Sequence, residues 1–202
     1  MDELILDILK QLRDSSQGAL DTHQLEMLIN SHNSGIDSSA HSTEREKLIP
    51  KRAILPYFLQ VKQNNDELWQ SWNVTPELEE RFIRSVRMKP RRTASGVATI
   101  TVITRPHTCS SNCIYCPCDL RMPKSYLANE PACQRAELTF FDPYVQVSAR
   151  LQALHQMGHS TDKVELIVLG GTWSDYPESY QYWFIKELFR ALNDWPNSPS
   201  YI

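Results

Sequence analysis

The sequence has no long apolar run. It is 202 residues long and 41% hydrophobic, yet no uninterrupted stretch approaches the roughly 20 apolar residues that a membrane-spanning helix needs. Its apolar opening is broken by Asp2, Glu3, Asp7 and Lys10. That opening reads as an amphipathic helix with Leu4, Ile5, Ile8 and Leu12 on one face, not as a signal peptide. A cytoplasmic protein with no membrane partner is expected. Internal repeats are absent, as is low-complexity sequence beyond one Ser-rich stretch. Cysteine is missing outside residues 109–133, which excludes a disulfide framework, since that would spread cysteines through a small secreted chain. Acidic residues nearly vanish between residues 81 and 124, where Asp119 stands alone against nine basic side chains.

The charge is therefore segregated. The whole chain carries −3, but residues 1–80 carry −7, residues 81–124 carry +8 and residues 125–202 carry −4. A mildly acidic chain with one strongly basic segment points to an anionic partner.

Residues 1–30 read as two short helices with a turn near Gly18, the second capped by Asp21 or Thr22 and presenting Leu25, Leu28 and Ile29. Residues 30–43 are rich in Ser, His and Asn and read as a linker. A further helical region follows Ile49, its regularity limited by Pro56 and anchored by Trp69 and Trp72. Thr75, Pro76 and Glu77 form a helix start. Phe82, Ile83 and Val86 then face the core, Arg81, Arg84 and Arg87 face outward, and Pro90 ends the segment.

The second half changes character. Residues 97–104 are a β-branched run, and residues 164–169 are so apolar that they predict a strand covered on both faces. Between them a helix starts at Asp142 and Pro143, buries Tyr144, Val147, Leu151 and Leu154, and stops at Gly158. Another opens at Pro177 and buries Tyr180, Phe184, Leu188 and Leu192. The order β-α-β-α implies parallel strands joined by crossovers. Two strands cannot bury their own edges, so the chain is expected to be the N-terminal fragment of a longer protein. A helical region over 1–90 would be followed over 91–202 by an incomplete α/β domain.

The chemistry is concentrated in Cys109-Ser110-Ser111-Asn112-Cys113-Ile114-Tyr115-Cys116, just beyond the first strand. Three thiolates at this CxxxCxxC spacing can hold three irons of a 4Fe–4S cluster and leave the fourth open. The alternative is a zinc site with Cys118 as fourth ligand, although zinc motifs usually pair two CxxC knuckles and no second pair exists here. Cys118 and Cys133 read otherwise as spare thiols, and His107 as a structural neighbour. At the corresponding end of the second strand stand Gly170, Gly171 and Thr172, where a ligand can approach the backbone closely.

The cysteine triad, with Tyr115 before its last member, resembles the radical S-adenosylmethionine enzymes. The resemblance implies that the open iron chelates S-adenosylmethionine, that Tyr115 packs near the adenine, and that Gly170, Gly171 and Thr172 contact the methionyl amino group. It also implies the first βα units of a partial (β/α)6-type barrel.

A narrower resemblance runs through Arg92-Thr93-Ala94-Ser95-Gly96, Arg105-Pro106-His107, Glu130-Pro131, Gln134-Arg135-Ala136, Asp142-Pro143-Tyr144, Gly158-His159-Ser160, Asp162-Lys163-Val164-Glu165 and Gly170-Gly171-Thr172. In order and spacing these are similar to the catalytic subunit of Elongator. That family carboxymethylates the wobble uridine of transfer RNA at carbon 5. A deoxyadenosyl radical takes hydrogen from the methyl of acetyl-CoA, the carbon radical adds to the uracil, and hydrolysis releases the product.

By this resemblance the cofactors are a 4Fe–4S cluster and S-adenosylmethionine, with acetyl-CoA as co-substrate. Lys163 matches a lysine that contacts acetyl-CoA. Arg84, Arg87, Lys89, Arg91 and Arg92 become candidates for tracking transfer RNA phosphates. No catalytic residue is assigned, and pairing with a second copy of the chain is left open.

Eukaryotic members place more residues between the first two cysteines and follow the third with Pro-Gly-Gly. Here Cys118 and Asp119 follow Pro117, which points to a bacterial-type subgroup. The family's C-terminal acetyltransferase domain is absent from these residues, so the chain alone is expected to be inactive. The alternatives are a radical enzyme acting on a small metabolite and a non-catalytic, zinc-stabilised RNA-binding module.

Overall fold

A computed structural model describes residues 1–15, 18–34, 48–117 and 119–196. The chain is mixed α/β, mostly helical, with one small parallel sheet. It divides into two compact units, Met1–Arg91 with Gln156–His159, and Arg92–His155 with Ser160–Ile202. None of the described helices is long and apolar enough to cross a membrane.

The first unit contains α1 (Asp2–Asp14), α2 (Thr22–Asn33), α3 (Lys51–Asn64), α4 (Asp66–Ser71) and α5 (Pro76–Val86). Helix α1 buries Leu4, Ile5, Ile8, Leu9 and Leu12, a spacing that turns one continuous stripe inward. Each such side chain contributes about 1.5–3 kcal/mol when removed from water. At α2 the Asp21 carboxylate accepts the Gln24 N–H at 2.8 Å while the Gln24 side chain accepts the Asp21 N–H at 3.0 Å, a reciprocal cap. Thr75 accepts the Leu78 N–H at 3.2 Å and so starts α5 as its sequence predicts. The centre of the unit is aromatic, with the Phe58 ring stacked 4.1 Å from Phe82 and 6.0 Å from Trp72.

Some expectations need correction here. Helix α2 runs on to Asn33, through the first four residues of the predicted linker, and residues 35–43 of that linker lie outside the described residues. Helix α3 runs through Pro56, although that residue supplies no N–H to the helix. Arg81 and Arg87 do not face outward. Both are half-buried, and Arg81 donates to the Ser15 carbonyl at 2.9 Å. Ile83, expected in the core, is half-buried. The short segment 156–159 belongs with this unit because Met88 donates to the Met157 carbonyl at 3.0 Å. Gly158, at φ +82°, sits where a Cβ would come within 2.9 Å of Leu55 Cδ2, so glycine is needed for both conformation and space.

In the second unit, β1 (Ala98–Ile103) pairs in parallel with β2 (Val164–Leu169), from Ala98↔Val164 to Ile103↔Leu169. The connection carries two helices, α6 (Pro131–Leu138) and α7 (Pro143–Gln156), and α8 (Glu178–Asp194) follows β2. The extra helix α6 lies between the first strand and the helix start at Asp142, where the sequence reading placed no element. Asp142 caps α7 by accepting the Val145 N–H at 3.0 Å. Tyr144, Val147, Leu151 and Leu154 are buried as expected. In α8, Tyr180, Phe184 and Leu188 are buried, but Leu192 is only half so.

Strand β2 departs from its prediction. Glu165 is exposed and Ile167 is 37% exposed, because the sheet face they share with Thr99 and Thr101 is left largely open by the described residues. The outer edge of β1 is treated differently. Gln146 of α7 accepts the Ile103 N–H at 2.8 Å and donates to the Ile103 carbonyl at 2.9 Å. One side-chain amide thus replaces the missing neighbouring strand at that residue. Gln146→Ala should therefore lower stability by about 1–3 kcal/mol, read as a reduced urea midpoint with an unchanged slope.

Candidate functional site

The parallel register brings the C-terminal ends of both strands together, since the Thr104 N–H still bonds the Leu169 carbonyl at 3.0 Å. Beyond β1 the chain runs through Arg105 and His107 into the cysteine segment, and beyond β2 into Gly170, Gly171 and Thr172. Cys109, Cys113 and Cys116 all line one cavity of about 360 Å³, along with Tyr115, Lys124, Gly171 and Thr172. The Cys109 sulfur lies 3.3 Å from the Thr172 hydroxyl, and the Cys116 sulfur 3.5 Å from that of Ser125. A turn closed by the Cys116 N–H on the Cys113 carbonyl at 3.2 Å draws the last two cysteines together.

A second cavity of about 350 Å³ adjoins the first at Gly171 and is lined by Thr104, Tyr126, Leu169, Gly170 and Trp173. Gly170 lines this second cavity and packs against the end of β1. A Cβ there would lie 1.9 Å from Thr104 Oγ1, so no other residue fits without displacing the strand end. Gly171 is less constrained, because its Cβ would meet only Lys124 Cβ at 3.4 Å.

The cysteine loop is tied down by residues that sequence reasoning passed over. Asp175, in a 3-10 turn (Trp173–Asp175), accepts the Ser110 N–H at 2.7 Å and the Ser110 hydroxyl at 3.1 Å. Those bonds hold its carboxyl below the usual range, the backbone bond being the largest cause. His107 Nε2 lies 2.9 Å from the Asp175 carbonyl, and its ring stacks on Tyr176 at 4.7 Å. The Tyr176 hydroxyl donates to the Arg105 carbonyl at 2.8 Å, and Tyr180 accepts the Arg105 N–H at 3.1 Å. Burial pushes the Tyr180 hydroxyl up to about 12, so it stays a neutral group against this backbone. A polar, aromatic cluster one turn after a Gly-Gly-Thr segment is the signal that could have disclosed it.

Among the described residues, no group of three His, Cys, Asp or Glu side chains is gathered tightly enough for a single metal ion. The three thiols ring a wider space, with Cys113 exposed and Cys109 and Cys116 half-buried. They are the residues that could hold a multi-atom group. Cys118, the fourth ligand of the zinc alternative, lies outside the described residues. Cys133 is buried, and burial raises its thiol pKa, which suits a packing role. Tyr115 is 85% exposed at the cavity rim.

Other candidate residues are not brought to this cavity. Lys163 precedes β2, whereas Gly170 follows it, and the strand separates them by roughly 20 Å. Arg84 is paired with Glu80 at 2.6 Å. Lys89 and Arg91 are exposed, and Arg92 alone of the basic set belongs to the second unit.

No family model matches the chain. Curated proteins do. The chain is 44% identical over 126 residues to a tRNA uridine(34) acetyltransferase of Methanocaldococcus infernus, covering 59% of this chain and 24% of that protein. It is 41% identical over 127 residues to Elongator complex protein 3 of Schizosaccharomyces pombe, covering 57% and 23%, and 39% identical over 131 residues to that of Homo sapiens, covering 59% and 24%. Over that stretch the chain is a relative of the tRNA uridine(34) acetyltransferases and Elongator complex protein 3. The resemblance read from its motifs is thereby shown. The chain spans about a quarter of the length of these relatives.

In this Elongator relative, the glycine junction gives a direct test. Gly170→Ala should cost at least about 1–3 kcal/mol of stability as an overpacked site, measured by denaturant unfolding. Adding Thr104→Ala should recover part of that loss, because it removes the Oγ1 in the way.

Proposed function

We propose that this chain contributes the cluster-binding part of a radical S-adenosylmethionine enzyme that carboxymethylates the wobble uridine of transfer RNA, with acetyl-CoA as carbon donor. The observation that carries the reading is the meeting of Cys109, Cys113 and Cys116 with Gly171 and Thr172 around one cavity. The printed names of the relatives, which specify uridine 34 of tRNA, supply the substrate class.

The donor set fits a 4Fe–4S cluster. Three soft thiols surround a space wider than one ion needs, no fourth cysteine of the described residues lines it, and three-cysteine ligation leaves one iron open. When bound, the cluster and S-adenosylmethionine supply one-electron chemistry at carbon. The rest is the work of the chain's own residues. Asp175 and Tyr176 hold the loop that carries the thiols. Thr172 orients a hydroxyl toward Cys109, and Gly171 lines the cavity where a cofactor's polar head can approach the backbone. Tyr115 covers the rim, where an adenine ring would stack.

The two strands are then the first of a partial (β/α)6 barrel, which is the setting that explains an apolar Ile167 on an open sheet face. Lys163 stands at the other end of β2, so a contact with acetyl-CoA there would involve the carrier's distant phosphates, not its acetyl group. Such an enzyme would act in the cytoplasm on folded transfer RNA.

Anaerobic reconstitution with iron and sulfide tests the reading. The chain should take up about four irons, show broad visible absorbance that bleaches with dithionite, and lose both properties in Cys113→Ala. A colourless protein holding one zinc would overturn the catalytic reading in favour of a structural metal site.

A further inference from the structure

Arg135 on α6 and Arg150 on α7 line a cavity of about 350 Å³ beside β1, with Thr101 and Thr139 as polar neighbours and Leu138 and Ala153 as apolar ones. Desolvation lowers the basicity of both guanidinium groups. Like charge lowers them further, Arg92 acting on Arg135, and Arg135 and Arg92 together on Arg150. Arg135 and Arg150 thus meet at one cavity, which Arg92 does not line.

None of the three forms a salt bridge among the described residues, although Arg121 pairs with Asp119 at 2.9 Å and Arg190 with Glu187 at 2.7 Å in the same unit. Acid is not scarce, since residues 125–202 carry nine acidic against five basic side chains. Arg135 is exposed and Arg150 half-buried, so solvent screens part of the repulsion between them. An anion placed at the cavity they share would meet both charges. Guanidinium forks match phosphate oxygens two at a time. The apolar wall of Leu138 and Ala153 suits the sugar or base that a phosphate carries.

We propose that Arg135 and Arg150 form a binding site for a nucleotide phosphate, carried by an RNA backbone or by a small nucleotide. The RNA source rests on the proposed function. The site itself rests only on the two arginines and their cavity. Both lie outside the 81–124 segment that the charge distribution marks as basic.

The test uses the whole 202-residue chain, a fluorescent transfer RNA transcript and adenosine 3′,5′-bisphosphate. The double variant Arg135→Gln/Arg150→Gln should bind the transcript at least about tenfold more weakly, with a salt dependence reduced by about two phosphate contacts. Arg150→Lys should keep the salt dependence but lose part of the affinity, because it retains the charge and loses the fork. With no anion present the double variant should melt no lower than the parent, since it removes repulsion, which separates lost binding from lost folding. Arginine-dependent binding of the bisphosphate by a parent that binds no RNA would support the site and overturn the RNA part of the proposed function. Unchanged binding of both probes by the double variant would overturn the site.

Discussion

Parallel pairing of β1 with β2 is the constraint on which the candidate site depends. Because the strands run the same way and end in register at Ile103↔Leu169, the segments that follow them must leave the sheet side by side. One segment carries Cys109, Cys113 and Cys116, and the other carries Gly170, Gly171 and Thr172. A ligand crevice outside the carboxyl ends of parallel strands is a general property of α/β architecture. Here Gly170 sharpens it, since the closeness of its Cα to Thr104 leaves room for a hydrogen and no more.

A loop that must present three thiols cannot also be free to wander. The chain answers this by anchoring the loop to residues that follow Gly-Gly-Thr, with Asp175 bonding Ser110 and Tyr176 bonding both the Thr104 hydroxyl at 2.8 Å and the Arg105 carbonyl. The same short stretch therefore serves two purposes: its Gly171 and Thr172 line the cavity, and its carboxylate and phenol fix the segment that carries the thiols. The thiols themselves stay accessible, with Cys113 exposed and Cys109 and Cys116 half-buried. Buried Cys133, by contrast, packs against Ile103 and Met122.

What the sequence made legible follows from local rules. The caps at Asp21, Thr75 and Asp142, the apolar stripe of α1 and the extent of β2 each depend on residues a few positions apart, and each formed as read. The cysteine spacing carried the site's chemistry in the same local way. The misreadings came from tertiary contacts. Arg81 looked like a surface cation until a carbonyl at Ser15 claimed it. Helix α6 was overlooked, although Glu130-Pro131 offered the proline start that marks α5. Arg135 and Arg150 are separated by a helix boundary and lie in a segment of net negative charge. No count along the chain could bring them to one cavity.

The central claim is that three cysteines hold a four-iron cluster with one iron left for S-adenosylmethionine. Mössbauer spectroscopy of the chain reconstituted with iron-57 tests it most directly. The account predicts that adding S-adenosylmethionine shifts about one quarter of the iron signal, the share of a single open iron, and leaves the rest in place. Four equivalent irons that ignore the cofactor, or no cluster signal at all, would contradict it.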